Sequence, residues 1–365
     1  MSVYSAAIPE DIRFGRGVRF SLQEKLLPGK SLFICGRHSL ARICREFADS
    51  GIEFDIMTVS GELPLDELEK ILIAARTEKY RNFIGWGGGS AVDCAKAIAA
   101  LADAEGPAAD YFYNRRQLPG RNNRMILIPT TAGTGAEITS NSVICDLETG
   151  IKQSLRGNGM TADVALCDPE LLEDTPAAVM AASGFDALTQ ALESFTSIKA
   201  NALTRQLAST AAGLILDNLK KSCSGNDFAA LENMARASML TGIAFAQSGL
   251  GAVHGLAHPL GSICRIPHGI CCAILLLPVL KINAELFPEL FDTLARSCSC
   301  PDRETLFEKI EILKSELNIP GNFRQYNLSR EHFEFIVANC RSGSMKCNPK
   351  EFTDEEIIRL LEALS

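Results

Sequence analysis

One order of elements repeats through the first 130 residues: a short apolar segment, a turn and a helical stretch. The segments with the length and composition of buried strands are 31–35, 53–59, 82–86 and 125–130. Apolar residues at three-to-four spacing predict helices over about 39–50, over 65–79 and after Ser90. This alternation favours a parallel sheet that is covered by helices on both faces. Shorter segments within 141–169 are expected to add further strands.

The character of the sequence changes at Pro176. From about Ala177 onward the chain is rich in alanine, leucine and methionine at helical spacing. Proline is favoured at helix starts, so Pro176 indicates a domain boundary. We therefore predict an α/β domain over residues 1–175 and an all-helical domain over residues 176–365. A cleft between two such domains is a common place for a ligand site.

Composition narrows the function classes. The formal net charge is −8 and no basic stripe is present, so nucleic acid is not an expected partner. No uncharged apolar run reaches the roughly 18 residues of a membrane span, and segment 272–280 is too short. The N-terminus lacks the apolar core of a signal peptide. The thirteen cysteines, which include Cys272, are scattered and form no CxxC pair. This pattern is typical of reduced thiols in the core of a cytoplasmic protein.

Three of the five histidines fall within fifteen positions: His254, His258 and His268. His254 and His258 are four residues apart and would share one face of a helix. Asp186 and Gln190 have the same spacing about seventy residues earlier. Imidazoles and oxygen ligands arranged in this way predict a site for one metal ion and a metal-assisted reaction.

A glycine-rich loop, Gly87-Gly88-Gly89-Ser90, follows a predicted strand and opens a predicted helix. Glycine lets a phosphate approach the backbone, and the helix N-terminus favours an anion. Ser90 is available as a helix cap. A tight structural turn is the simpler alternative, but the strand-loop-helix context favours phosphate binding.

A second loop, 130–137, places three threonines and two glycines after the predicted strand 125–130. Open α/β sheets bind ligands beyond the carboxyl ends of their strands, so these hydroxyls are expected at a ligand site. Threonines that cap their own backbone are the alternative.

Together these segments resemble the iron-containing (group III) alcohol dehydrogenases. The resemblance is carried by GGGSAVDCAKAIA, PTTAGTGAE, GFDALTQALE and HGLAHPLG followed by PHG, in the order of that family. It implies an α/β N-terminal dinucleotide-binding domain plus an all-α C-terminal domain, the dehydroquinate synthase-like two-domain architecture. It also implies NAD(P)-dependent interconversion of a small primary alcohol and its aldehyde, a divalent metal, with Fe²⁺ expected before Zn²⁺, and a homodimer.

The resemblance places the metal ligands at Asp186, Gln190, His254 and His268. A histidine is usual in the family where Gln190 stands, and a neutral amide is a weaker ligand for a first-row metal. Gln190 therefore ligates, hydrogen-bonds another ligand, or marks a weak or empty site. His258 lies at a family position that does not bind the metal and is the candidate proton relay.

For the cofactor, the resemblance implies two loops and one lysine. The pyrophosphate positions are Gly87, Gly88, Gly89 and Ser90, with Asp93 nearby. The nicotinamide side is lined by Thr130, Thr131 and Thr134, and Lys152 falls near the ribose. The stretch Gly36-Arg37-His38-Ser39 contains no acid to bind ribose hydroxyls, and Arg42 and Arg45 follow it. We therefore predict a preference for NADP(H) over NAD(H).

Four alternatives stay open from the sequence. Because glutamine stands where the family usually has histidine, a metal-independent reductase resembling maleylacetate reductase stays an alternative. Arg156 and Arg265 hint at a short anionic aldehyde that carries a phosphonate or sulfonate. A lyase of the dehydroquinate synthase kind shares the architecture. A binding protein with a decayed site is the non-catalytic reading.

Overall fold

The computed structural model describes residues 6–365. The chain divides into two compact units, residues 7–175 and 176–365. The first contains a parallel sheet with helices and the second is helical, which confirms the predicted fold class.

The first unit is built on a six-stranded parallel sheet. Its elements are β1 (Asp11–Phe14), β2 (Ser31–Gly36), α1 (Arg37–Phe47), β3 (Phe54–Val59), α2 (Leu65–Glu78), β4 (Asn82–Gly87), α3 (Gly89–Leu101), α4 (Ala108–Phe112), β5 (Arg124–Pro129), β6 (Asn141–Cys145), β7 (Lys152–Arg156) and β8 (Val164–Cys167). The strand order is β1-β8-β5-β4-β2-β3, and β6 and β7 form a separate antiparallel pair. Sequence analysis missed β1 and α4 and placed the start of α1 two residues late.

Successive residues of the central strands face opposite cores. Leu32 and Ile34 pack with α2 and α3, whereas Phe33 and Trp86 belong to the core on the other face. The Trp86 ring meets the Phe47 ring edge-on, with 5.7 Å between centroids. Both faces of the sheet are therefore covered, as parallel sheets require.

The register brings three loop starts to one edge of the sheet. β4 lies between β2 and β5, with Cys35 opposite Trp86 and Gly87 opposite Pro129. The residues that follow these strands therefore lie side by side at the carboxyl edge.

The second unit contains nine helices and no strand within 176–365, a range that the structure describes completely. They are α5 (Ala177–Thr196), α6 (Ala202–Ser222), α7 (Phe228–Ser248), α8 (Ala252–Cys264), α9 (His268–Leu286), α10 (Pro288–Ser297), α11 (Arg303–Glu316), α12 (Phe333–Asn339) and α13 (Asp354–Leu364). Pro176 is the N-cap residue immediately before α5.

Helix α9 starts in direct backbone contact with α5. A Cβ added to Gly269 would lie 2.1 Å from the carbonyl oxygen of Ala182, so only glycine fits there. Among the described residues, α9 is also the one helix long and apolar enough to cross a membrane. Its apolar window is 61% buried inside the protein, and a core helix meets the same criterion.

Candidate metal centre and cofactor loops

Four possible metal donors converge inside the helical unit. They are Asp186 on α5, His254 on α8, and His268 and Cys272 on α9, and their donor atoms all lie within 4.8 Å of one another. Asp186, His254 and Cys272 are buried, and His268 is half-buried. Residues that are up to 86 positions apart in sequence thus reach one point.

The Asp186 carboxylate lies at the centre of this cluster. Its Oδ1 is 3.2 Å from His254 Nε2 and 3.7 Å from His268 Nε2. Cys272 Sγ is 3.8 Å from the same oxygen and 3.7 Å from His268 Nε2. These separations are short enough for one ion to contact all four atoms.

Glu193 lies two helical turns after Asp186 on α5 and orients the ring of His254. Its Oε2 is 2.6 Å from His254 Nδ1, and its Oε1 accepts a hydrogen bond of 2.6 Å from the Val253 amide. A Cβ at Gly251 would lie 2.7 Å from Oε1, so glycine at the start of α8 lets the carboxylate approach. A carboxylate on one ring nitrogen presents the lone pair of the other nitrogen to a metal.

The charges of the cluster act on its titrating groups. Burial lowers the pKa of His254, but the Cys272 sulfur and the Glu193 and Asp186 carboxylates raise this pKa well above 6.5. Burial raises the pKa of the Cys272 thiol to about 11, although His254 acts in the opposite direction. A second proton on His254 and a divalent cation would occupy the same place, between Nε2 and the Asp186 carboxylate.

Gln190 and His258 lie one turn from donors of the cluster. Gln190 is on the face of α5 that carries Asp186, and its buried Oε1 has no hydrogen-bond partner among residues 6–365. The half-buried His258 lies on α8, with its ring centroid 5.2 Å from that of His268. The ring of His268 thus lies next to the rings of both other histidines, since its centroid is 5.4 Å from that of His254.

Sequence reasoning missed two members of this site. Cys272 was interpreted as a core residue, and Glu193 was not singled out. A signal for each existed, because Cys272 follows His268 by four residues and Glu193 follows Asp186 by seven. Both spacings return a side chain to the same helix face.

The glycine loop of the α/β unit packs against the threonine loop. A Cβ on Gly89 would lie 2.9 Å from Thr134 Cγ2, and one on Gly88 would lie 3.3 Å from Thr131 Cγ2. The Thr130 amide donates to the Gly87 carbonyl oxygen at 2.9 Å. The predicted pyrophosphate and nicotinamide residues thus form one continuous surface.

The N-terminus of α3 differs from the prediction in one respect. Gly88 is the N-cap residue, Gly89 begins the helix, and no side chain caps it. The prediction that Ser90 caps α3 is therefore wrong. Its hydroxyl lies in the first turn without a hydrogen bond to the described residues.

Two charged residues of the predicted cofactor site are paired within the unit. Asp93 Oδ1 is 2.9 Å from Lys96 Nζ, and its Oδ2 accepts from the Val143 amide at 3.0 Å. Lys152 Nζ is 2.5 Å from Glu62 Oε1. Asp93 therefore anchors α3 to β6.

The start of α1 carries the residues predicted to select the cofactor. Gly36 is the N-cap, and Arg37 is exposed and makes no ion pair among the described residues. Ser39 is half-buried. Arg42 is ion-paired with Asp174, whereas the exposed Arg37 directly follows Gly36 and Arg45 lies in the last turn of α1.

The donor chemistry fits a divalent transition metal. One carboxylate, two imidazoles and one sulfur are ligands that first-row metals accept, and an unpartnered amide oxygen lies buried one turn from Asp186. Two family models cover the chain. Iron-containing alcohol dehydrogenase matches residues 9–169, and the C-terminal model of the Fe-containing alcohol dehydrogenase family matches residues 180–365. The chain belongs to the iron-containing alcohol dehydrogenase family. It is therefore an oxidoreductase of the alcohol dehydrogenase type.

Two curated alcohol dehydrogenases are similar to this chain over most of their length. The 1-propanol dehydrogenase of Salmonella typhimurium is 35% identical over 297 residues, which cover 77% of each chain. The NADPH-dependent butanol dehydrogenase of Clostridium saccharobutylicum is 31% identical over 386 residues, covering 98% of this chain and 97% of that protein.

A solved family structure superposes on the whole chain. The sulfoacetaldehyde reductase from Bifidobacterium kashiwanohense, in complex with NAD⁺, has a TM-score of 0.91 and 27% identity. The match covers 100% of this chain and 99% of that one.

Proposed function

We propose that this dehydrogenase interconverts short primary alcohols and their aldehydes with NADP(H), assisted by a divalent cation. The observation that carries this proposal is the convergence of Asp186, His254 and His268 from three helices. The names of the propanol and butanol dehydrogenases similar to it support the substrate class.

The chain's own residues hold and orient the reactants. When bound, the cation supplies Lewis-acid polarisation of the substrate oxygen, and the nicotinamide donates or accepts the hydride. Asp186, His254 and His268 would hold the cation, and Glu193 keeps the His254 ring in place. Gln190, with its buried unpartnered oxygen, would ligate the cation or hydrogen-bond one of its ligands.

His258 is the proposed proton relay. It is half-buried, next to His268, and imidazole exchanges a proton near neutral pH. A ring nitrogen of His258 would take the proton that an alcohol loses on oxidation and return it on reduction. His258→Gln should flatten the pH profile of kcat, and a profile like that of the native enzyme would remove the role.

The glycine loop and the first turn of α3 would bind the cofactor pyrophosphate. Bare backbone at Gly87, Gly88 and Gly89 permits close approach, and the N-terminus of α3 favours the negative charge. Thr130, Thr131 and Thr134 would face the nicotinamide side, and Lys152 the ribose. Ser90 offers its hydroxyl to a phosphate oxygen.

The NADP(H) preference would depend on Gly36, Arg37 and Ser39. Arg37 has no acidic partner among the described residues, so it is available for a 2′-phosphate. The comparison of kcat/KM for NADPH and NADH tests this, together with Arg37→Ala. An NADH preference in the native enzyme would remove the proposal, and an unchanged ratio in Arg37→Ala would remove the role of Arg37.

The metal requirement separates this function from a metal-independent reductase. The enzyme is stripped with EDTA, assayed with short aldehydes and alcohols, and reloaded with Fe²⁺ or Zn²⁺. We expect activity to disappear and to return with metal. Full activity in verifiably metal-free protein would favour the metal-independent alternative.

A short anionic aldehyde is the second candidate substrate. Arg265, between α8 and α9 and three residues before His268, is exposed and makes no ion pair among the described residues. Arg156, at the end of β7, likewise has no acidic partner there. The similarity to a sulfoacetaldehyde reductase points the same way. Arg265→Ala should raise the KM for sulfoacetaldehyde and leave that for propanal unchanged; equal effects on both would exclude charge recognition.

We also propose a cytoplasmic homodimer. Thirteen free cysteines fit a reducing compartment, and the homodimer is what the family resemblance implies. Sedimentation of the purified enzyme tests the dimer.

A further inference from the structure

Sulfur is an unexpected donor in the metal cluster. Cys272 lies four residues after His268 on α9, so both side chains project from one face of that helix. Its Sγ is 3.8 Å from Asp186 Oδ1, 3.9 Å from His254 Nε2 and 3.7 Å from His268 Nε2. The sulfur therefore lies within 3.9 Å of all three other donor atoms of the cluster.

These separations match the edges of a coordination tetrahedron. Metal–ligand bonds of about 2.0–2.3 Å around a tetrahedral ion place neighbouring donors about 3.3–3.8 Å apart. In five of the six donor pairs the two atoms are 3.2 Å to 3.9 Å apart. Small shifts of the side chains would close all four donors on one ion.

The protons of this cluster stand where a cation would bind. Glu193 holds Nδ1 of His254, so that Nε2 faces the Asp186 carboxylate at 3.2 Å. The sulfur of Cys272 faces Nε2 of His254, the Asp186 carboxylate and His268 from a fully buried position. A divalent cation at this point would replace the second proton of His254 and the S–H proton of Cys272.

We propose that Cys272 is the fourth protein ligand of this site and that its thiolate makes the site select Zn²⁺ over Fe²⁺. On coordination the S–H proton and the second proton of His254 leave to solvent and a sulfur–metal bond forms, without change of oxidation state. Thiolate is a soft donor that favours zinc, and zinc accommodates a fifth ligand, so substrate access to the ion is kept. The thiolate supplies the charge that the neutral amide of Gln190 does not.

The inference rests on the proposed metal-assisted function, and Co²⁺ as a probe separates the two. Co²⁺-loaded native protein should show visible d–d bands and, in the near ultraviolet, a thiolate-to-cobalt charge-transfer band. Cys272→Ser and Cys272→Ala should lose the charge-transfer band. The matched control is Cys271→Ser, one residue earlier and equally buried, which should keep it.

Metal selectivity is the second readout. Metal-free proteins are equilibrated anaerobically with buffered Zn²⁺ and Fe²⁺, and bound metal is measured by mass spectrometry. Because loss of the soft thiolate weakens Zn²⁺ binding more than Fe²⁺ binding, Cys272→Ser should lower the zinc-to-iron ratio by about tenfold. The Cys271→Ser ratio should equal that of native protein.

Each outcome has one meaning. Native protein that binds Co²⁺ with d–d bands but without the sulfur band overturns the Cys272 inference and leaves the metal-assisted function standing. Native protein that binds no metal overturns both. The native spectrum alone decides the ligand question if the Cys272 variants fail to fold.

Discussion

Two charged side chains of the predicted cofactor site in residues 7–175 are held in ion pairs, whereas the metal donors in residues 176–365 lie against one another. Asp93 is paired with Lys96, and Lys152 with Glu62. In the helical unit, Asp186 Oδ1 instead lies 3.2 Å from His254 Nε2, with a sulfur beside both. In the first region a ligand would contact mainly backbone atoms. In the second region it would contact the lone pairs of side-chain donor atoms.

This contrast indicates how each region should fail. Where a ligand binds to backbone atoms, binding should be weakened by added side-chain atoms that leave the fold intact. A cluster made of side-chain donors is damaged when one donor atom is removed.

Removing a donor should have the largest effect. His254→Ala takes away the imidazole that Glu193 orients, so we expect loss of bound metal. Because Lewis-acid assistance is worth several kcal/mol, kcat should fall about a thousandfold or more. Metal analysis and steady-state kinetics measure both. His332→Ala, outside the cluster, is the control, and metal retained by His254→Ala would contradict the site.

Glu137 is a buried carboxyl group of the α/β unit, and its substitution tests whether this group is charged in the folded protein. Burial raises the pKa of its carboxyl from 4.5 to about 7, against an opposing effect of Lys96. The folded protein then binds this proton more tightly than the unfolded chain, so the free energy of unfolding falls as pH rises from 4.5 to about 7. Glu137→Gln should remove a fall of about 3 kcal/mol.

Urea unfolding across this pH range measures the Glu137 effect. The stability difference between Glu137→Gln and native protein should grow in favour of the variant between pH 4.5 and about 7. The exposed Glu148→Gln is the matched control. A difference that stays constant with pH would show that Glu137 is charged in the fold.

Substitution of Glu193 tests whether its carboxylate is needed to orient His254 in the donor cluster. Glu193→Gln keeps the size of the side chain but removes the charge that holds His254 Nδ1 at 2.6 Å. Metal affinity should fall about 10–100-fold, since the ring loses its orientation and basicity. Competition with a chelator measures this, and an unchanged affinity would mean that the ring is held by packing alone.

Gly36 tests the backbone surface. A Cβ at this position meets no protein atom within 4 Å, so Gly36→Ala should fold with an unchanged Tm. If a cofactor approaches the backbone there, its Kd should rise about tenfold, a cost of about 1.4 kcal/mol. Gly213→Ala on α6 also meets nothing within 4 Å and is the control. Equal cofactor affinity in Gly36→Ala and native enzyme would place the ligand elsewhere.

Much of the α/β unit was predictable because its strands are local apolar runs. The ranges of β2, β3, β4 and β5 agree with the predicted segments to within a residue. The four residues of β1 include two charges and are held by pairing with β8, a contact 150 positions away in sequence that no local pattern encodes. The first turn of α1 was missed because Arg37 and His38 gave no apolar periodicity.

The donor cluster was predictable only in part. His254, His258 and His268 stand out by spacing, and the family resemblance added Asp186. Cys272 was hidden because a cysteine within an apolar helix looks like any core residue. Its role depends on how α5, α8 and α9 pack, and this long-range geometry appears only in the folded unit.

The contact between Gly269 and the Ala182 carbonyl has a consequence for engineering this enzyme. Main-chain atoms, not side chains, set the gap between α5 and α9 at the site, because any Cβ at position 269 would collide with that oxygen at 2.1 Å. Substitutions at positions 190 and 272 would therefore exchange side-chain donor atoms without changing this closest contact between the two helices.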